Sequence, residues 1–260
     1  MLSIFILGNG RMAKHLASAF QQTDVQIAGV YARDETKGNS FAKQFNVPFY
    51  SSITKVPVQC DVYFLALSDQ AIVGISEQLN VQGLVVHCSG MLSKFVLQKQ
   101  KHYGVFWPIQ SFSENLNVDV KSVPICIEGN TDENTRILEA LADRITNNVQ
   151  ILNENQRQQL HLAAVVVNNF TNHLYVLADS FLKSNQLSFN LLKPLIAETA
   201  HKIINLEPHL AQTGPANRND INTIEMHQKI LAHNPELLHV YQILSNSIIL
   251  HSNKNMEECL

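Results

Sequence analysis

The sequence predicts an α/β protein: a mostly parallel sheet covered by helices, followed by an all-helical segment. Three observations predict it. Over roughly the first 150 residues, short β-rich runs alternate with helical stretches, the arrangement of strands joined by crossover helices. A glycine-bearing turn links the first run to the first helix. From Asn153 onward the strand signal all but disappears.

Ser3–Leu7 reads as the first strand, and Arg11–Gln21 as a helix with Leu16, Ala17 and Phe20 on its inner face. Val25–Tyr31, Asp61–Leu67 and Leu84–His87 read as further strands, and Val105–Trp107 and Val123–Ile127 as two more. Thr131–Ile145 reads as a helix, with Asp132 and Glu133 in the first turn, where the positive end of the helix dipole favours acids. Asn148–Leu152 reads as an edge strand. Glu154–Lys183 holds neither Gly nor Pro and predicts one long helix. Helices follow near Asn190–Leu206, Asp220–Ala232 and Pro235–Ser252, the last with Asn234 as cap and Pro235 at its first position. The predicted domains are 1–152, α/β, and 153–260, all-helical.

The chain of 260 residues is 45% hydrophobic and 16% charged, a mix that suits a globule with a sizeable core. A formal net charge of -3 argues against wholesale binding to nucleic acid or to an anionic membrane. No apolar run approaches the roughly 20 residues of a membrane span, and the apolar start lacks the basic leader of an export signal. Cys60, Cys88, Cys126 and Cys259 are scattered, which predicts neither a disulfide framework nor a zinc knuckle, and fits a reducing cytoplasm.

The most informative stretch is Ile4–Ala13, a hydrophobic strand running through Gly8-Asn9-Gly10-Arg11-Met12-Ala13 into a helix. This is the Gly-x-Gly-x-x-Ala turn of a Rossmann-type dinucleotide site. Gly8 permits the tight turn, Gly10 lets backbone approach a pyrophosphate, and Ala13 lets the helix pack on the strand. The helix start then offers free N–H groups to the phosphates. The second strand ends in Ala32-Arg33, where NAD enzymes usually place an acid for the ribose 2′-hydroxyl. Arg33, with Lys37 near it, suits a 2′-phosphate, so NADP is expected over NAD. The competing reading makes Arg33 a solvated loop residue and Asp34 a helix cap.

Ligands of such sheets lie beyond the carboxyl ends of the strands. Leu67 and Ser68 at one end, and Ser89 at another, are expected to line the dinucleotide. His87 could polarise a substrate or simply fix a loop; Cys88 has no activating partner. Trp107 could line a cleft or belong to the core. On the long helix, at 100° per residue, His161, Val165, Asn168, Asn172 and Asp179 fall on a thin polar stripe opposite Ala163, Val167, Phe170, Leu174, Leu177 and Phe181. Such a stripe suits a cleft that orients a small polar substrate, or equally a solvated or dimer-buried face. In the loop Gln212–Asp220, Arg218 could bind a carboxylate or phosphate and Asp220 could cap the next helix. The remaining histidines show no metal-ligand spacing, and no metal is expected.

Taken together, Gly8–Ala13, Leu65–Ser68, His87–Gly90, Trp107–Phe112, His161–Asn169 and Thr213–Asp220 resemble an uncharacterised bacterial family grouped as NADP oxidoreductases. That family has a Rossmann-like domain followed by a helical domain of unknown function. It is related to pyrroline-5-carboxylate reductase and to the 6-phosphogluconate and 3-hydroxyacid dehydrogenases. The resemblance implies hydride transfer between NADP(H) and a small polar substrate, an imine or a carbonyl/hydroxyl, in a homodimer. His161, Asn168 and Asn172 would orient the substrate, His87 is a weaker candidate, and Arg218 would neutralise an anionic one. There is one departure. The hydroxyacid branch carries a catalytic lysine three residues before an Asn-Asn pair, and here Val165 stands before Asn168-Asn169. An iminium, already an electrophile, does not require that lysine. The rival expectations are a non-catalytic NADP-binding sensor and a structural dimer.

Overall fold

In the computed structural model, which describes residues 1–112 and 119–257, eight strands form one sheet. They are β1 (Ser3–Leu7), β2 (Gln26–Tyr31), β3 (Phe49–Tyr50), β4 (Val62–Leu65), β5 (Leu84–His87), β6 (Tyr103–Pro108), β7 (Ile125–Gly129) and β8 (Val149–Ile151). Their order is β3-β2-β1-β4-β5-β6-β7-β8. Every neighbouring pair is parallel except β6 and β7, where Trp107 lies opposite Cys126. The chain runs outward from β1 through β2 to β3, then returns to place β4 on the other side of β1. A reversal of this kind opens a crevice at the carboxyl ends of β1 and β4.

Burial on both faces explains why β1, β4 and β5 read as unbroken apolar runs. Ile4 and Ile6 point to one face, with Leu16 and Phe20 of α1 (Arg11–Phe20), Phe41 of α2 (Glu35–Phe45) and Leu138 of α4 (Asp132–Ala142). Phe5 and Leu7 point to the other, with Ile72 and Ile75 of α3 (Asp69–Gln78). Two of these helices carry little sequence signal. In α2, Gly38, Asn39 and Ser40 are weak helix formers. Gly38 is there because the Phe49 ring lies on it: a Cβ would come within 2.2 Å of Cε2.

The predicted long helix is three pieces. α5 (Glu154–Ala164) passes into a π-helical segment, Val165–Phe170, and then into α6 (Thr171–Ser184). α7 (Lys193–Asn205), a short α8 (Pro208–Ala211), α9 (Ile221–Ile230) and α10 (Pro235–Glu257) follow. The chain divides into two compact units, Met1–Asn168 and Asn169–Leu260. α5 lies in the first, where Arg157 is only 1% exposed.

In the second unit, α9 and α10 are tied by His227 Nδ1 and Tyr241 Oη at 2.9 Å. Among the described residues no helix is long and apolar enough to cross a membrane. Cys60, Cys88 and Cys126 are unpaired, and Cys259 lies outside the described residues.

Candidate active site

The glycine bend sits at the crevice between β1 and β4. Gly8 adopts φ +126°, and a Cβ there would lie 2.3 Å from the Ala66 carbonyl oxygen. Only glycine meets both conditions. Its N–H donates to the Tyr31 carbonyl at 2.8 Å, which ties the bend to β2. Gly10 caps α1 without a side-chain hydrogen bond, and a Cβ there would meet nothing within 4 Å. No side chain caps the first-turn N–H groups and the space beside Gly10 is open, the condition for an anion at a helix start. Asn9 Nδ2 is buried and has no hydrogen-bond partner among the described residues. Arg11 is exposed, Met12 half-buried, and Ala13 fully buried against the strand. Open space, orphan donors and a tight bend fit a dinucleotide diphosphate.

At the end of β2, Ala32 is buried and Arg33 exposed. The capping role falls to Asp34, whose carboxylate accepts from the Lys37 N–H at 2.9 Å and lies 3.8 Å from Lys37 Nζ. Among the described residues Arg33 makes no hydrogen bond or ion pair. At the end of β4, Leu67 lies against Gly8, and the exposed Ser68 starts α3 without using its hydroxyl as a cap.

The end of β5 is a closed structure. His87 is 0% exposed and enclosed within the loop. Nδ1 accepts from the Ser89 N–H at 3.2 Å, which assigns the proton of the neutral ring to Nε2. Nε2 has no partner in good hydrogen-bond geometry. Burial, then the nearby Arg157 guanidinium, pushes the His87 pKa down to about 4 against a weaker opposing contact with the Ser93 backbone. Ser89 is also buried; its hydroxyl accepts from the N–H groups of Met91 and Leu92 at 3.1 and 3.0 Å and so shapes the loop. Desolvation pushes the Cys88 thiol up to about 12, which leaves it inert as a nucleophile.

Gly90 brings the expected substrate side chain into place. A Cβ on Gly90 would lie 2.3 Å from His161 Cδ2 and 2.9 Å from Trp107 Cε2. The Trp107 and His161 rings stand 5.6 Å apart at 47°. Trp107 is thus both core and wall: 7% exposed, packed with Val105 and Cys126, and turned toward the half-buried His161.

Beyond His161 the predicted stripe changes. The 100° phase does not carry through the π-helical segment, whose i→i+5 bonding puts extra residues into each turn. Val165 begins that segment, and Asn168 within it is exposed, as is Asn172 in α6. The opposite apolar side is largely open: Val167 is 71% and Phe170 58% exposed, and of the six residues predicted there Leu177 alone is buried.

In the second unit the loop Gln212–Asp220 is held by Gly214 at φ +108° and by Asn217, which accepts from the Ser252 hydroxyl at 2.7 Å. Asp220 caps α9 through Thr223, and those hydrogen bonds hold its carboxyl below the usual range. Arg218 is exposed, its N–H donates to the Pro215 carbonyl at 3.2 Å, and its side chain makes no hydrogen bond or ion pair among the described residues. No group of His, Cys, Asp and Glu among the described residues is placed to hold a metal.

Sequence reasoning missed Arg157. The signal was present, an arginine about one helical turn before His161, but only the fold shows it buried.

Residues 2–103 match the model of an oxidoreductase family with an NAD-binding Rossmann fold, and residues 123–248 match a domain of unknown function, DUF2520. A solved "putative NADP oxidoreductase" from Bacteroides fragilis is 38% identical, with 95% of this chain and 98% of that one covered and a TM-score of 0.87. An imine reductase from Streptomyces aurantiacus shares the fold at 13% identity (98% and 99% covered, TM-score 0.68). So does 1-pyrroline-5-carboxylate reductase from Streptococcus pyogenes at 14% (97% and 98% covered, TM-score 0.63). None of the curated proteins matches. With its glycine bend at the β1–β4 crevice and its helical second half, this chain belongs to the family of the Bacteroides fragilis protein, oxidoreductases that join a nicotinamide-binding Rossmann domain to a DUF2520 domain.

Proposed function

We propose that the protein is an NADP(H)-dependent oxidoreductase acting on a small polar substrate, with an imine favoured over a hydroxyacid. The choice of cofactor rests on the end of β2, where Ala32-Arg33 stands in place of the acid NAD enzymes use and the nearby Asp34 is engaged as a cap, so no carboxylate is left there for a ribose 2′-hydroxyl. The name of the Bacteroides fragilis relative supports the same choice. Gly8, Asn9, Gly10, Arg11, Met12 and Ala13 would hold the diphosphate, Ala32 and Arg33 the 2′-phosphate end, and Leu67 and Ser68 the neighbouring strand end. Ser89 would contribute by holding its loop. The nicotinamide supplies the hydride chemistry when bound.

His161 would orient the substrate from the wall shared with Trp107, with Asn168, Asn172 and Arg218 as further polar groups. His87 would act only through its loop. Val165 leaves no ammonium where hydroxyacid dehydrogenases carry one, and an iminium substrate needs none.

The test is a fluorescence titration. Arg33→Asp is expected to weaken NADPH roughly tenfold to a hundredfold, the worth of a charge-assisted hydrogen bond, and to leave NADH nearly unchanged. Equal losses for both cofactors would overturn the choice. NADPH oxidation followed across cyclic imines and amine–carbonyl mixtures tests turnover. NADPH binding without turnover on any of them would favour the second reading, a sensor, for which Val165 is the supporting observation.

We also propose that the partner is a second copy of this chain. In the second unit Leu191, Leu195, Ile204, Leu210, Ile230 and Leu250 are each 62–80% exposed, an apolar excess that a working protein covers. The unpaired cysteines support a reducing, cytoplasmic setting.

A further inference from the structure

We infer that Arg157 is a positioning residue that holds His161 in place through the loop after β5. The proposal rests on the reading of His161 as the side chain that orients the substrate.

Arg157 is 1% exposed, among the largest fully buried side chains of the protein. A cation so enclosed is costly unless its geometry is well satisfied. Its best hydrogen bonds go to main chain rather than to a carboxylate. Nη1 donates to the Gly90 carbonyl at 3.0 Å and to the Ser89 carbonyl at 3.3 Å. Glu128 pairs with the guanidinium more loosely, 3.8 Å from Nη2, and also pairs with Lys94 at 2.9 Å. Nε and Nη2 have no hydrogen bond among the described residues. Among the described residues the guanidinium's hydrogen bonds therefore go to one loop segment, the one under His161.

Residues 157 and 161 lie one turn apart on the same face of α5. Arg157 grips the backbone of Gly90 while His161 lies on the bare Cα of Gly90 and beside Trp107. The grip and the contact share one glycine, so a shift in the first moves the second. Two lesser ties close the same gap: the Ser93 hydroxyl donates to Glu154 at 2.5 Å, and Gln158 donates to the Met91 carbonyl at 2.9 Å. These make the alignment of α5 on the loop specific.

The experiment uses Trp107, the single tryptophan of the chain, as a reporter of the His161 contact. In the full-length protein, Arg157→Met is expected to shift Trp107 emission to the red and to raise its quenching by acrylamide toward the level of His161→Ala. In the double variant the two shifts should not add, because Arg157 acts through His161. Arg157→Lys, which keeps a donor and the charge, should restore part of the wild-type spectrum. An unchanged Trp107 signal in Arg157→Met, or fully additive shifts, would overturn the proposal. Should Arg157→Met not fold, Arg157→Gln removes the charge and shortens the reach to the Gly90 carbonyl, and a Trp107 signal unmoved from wild type there overturns it equally. None of these readouts needs a substrate, so a failure of the oxidoreductase reading leaves them intact and is recognised separately.

Discussion

Gly8 and Gly10 differ in what surrounds them, and that difference makes them separable by experiment. Gly8 combines φ +126° with a carbonyl 2.3 Å from any added Cβ. Gly8→Ala is expected to cost roughly 2 kcal/mol or more in stability, since such strained backbone alone costs about 1–3 kcal/mol, and to abolish NADPH binding along with it. Gly10 faces open space at ordinary φ. Gly10→Ala should leave urea-denaturation stability within about 1 kcal/mol, the scale of an altered N-cap, yet lower NADPH affinity roughly tenfold or more. Unchanged NADPH affinity in Gly10→Ala would remove the pyrophosphate assignment.

His87 gives a pH prediction at the same scale. Its folded pKa, about 4, lies below the ordinary value of 6.5. Between these values the unfolded chain binds the extra proton, so stability rises with pH. The contribution of a neutral His87 is fully present above pH 6.5 and is lost as pH falls toward 4, about 3 kcal/mol over that window. His87→Gln should flatten the stability–pH curve there relative to wild type. Parallel curves would show that His87 does not titrate on unfolding.

At the scale of elements, α5 is the piece on which the site is mounted. Asn153 and Gln156 form a reciprocal capping box at its start, with bonds of 3.0 and 3.1 Å. Asn153→Ala should destabilise the protein by about 1 kcal/mol, read from the denaturation midpoint, without changing NADPH affinity. The cap was not needed to read a helix there, because the absence of Gly and Pro already predicted one. The π-helical segment that follows was not legible. Val165–Phe170 has ordinary helical composition, and the extra residue per turn depends on what the backbone on either side packs against. That is why the regular phase predicted a stripe from His161 to Asp179, whereas only the part up to Val165 keeps α-helical phase. α2 was faint for a related reason: a helix with Gly38 at the end of its first turn is formed by packing against Phe49, not by propensity.

At the scale of the molecule, the two units differ sharply in how much apolar surface they enclose. The sheet unit has continuous cores on both faces, whereas the described side chains of the helical unit bury Leu177, Ala216, Ile224, Leu231 and Ser245. Ile204 at 80% and Leu191 at 70% exposure stand for the remainder. If a second copy covers these faces, light scattering at micromolar concentration should give twice the chain mass, and the melting temperature should rise with concentration. Ile204→Glu should shift the population toward monomer and lower the melting temperature. A monomer at every concentration, unaltered by the substitution, would rule out the second copy.

Strand-by-strand burial, the glycine bend and the change to helix after Asn153 were determined by the sequence itself, because each is written in local terms: runs of apolar residues, a turn that demands glycine, helix formers without breakers. Arg33 and Asp34 belong with them, since which one caps follows from a four-residue neighbourhood. Tertiary structure alone decided that His87 is sealed inside its loop, that Ser89 spends its hydroxyl on its own turn, and that Arg157 reaches across to Gly90. These depend on contacts between residues as far apart as 89 and 157, and neither end of such a contact carries a local mark of the other.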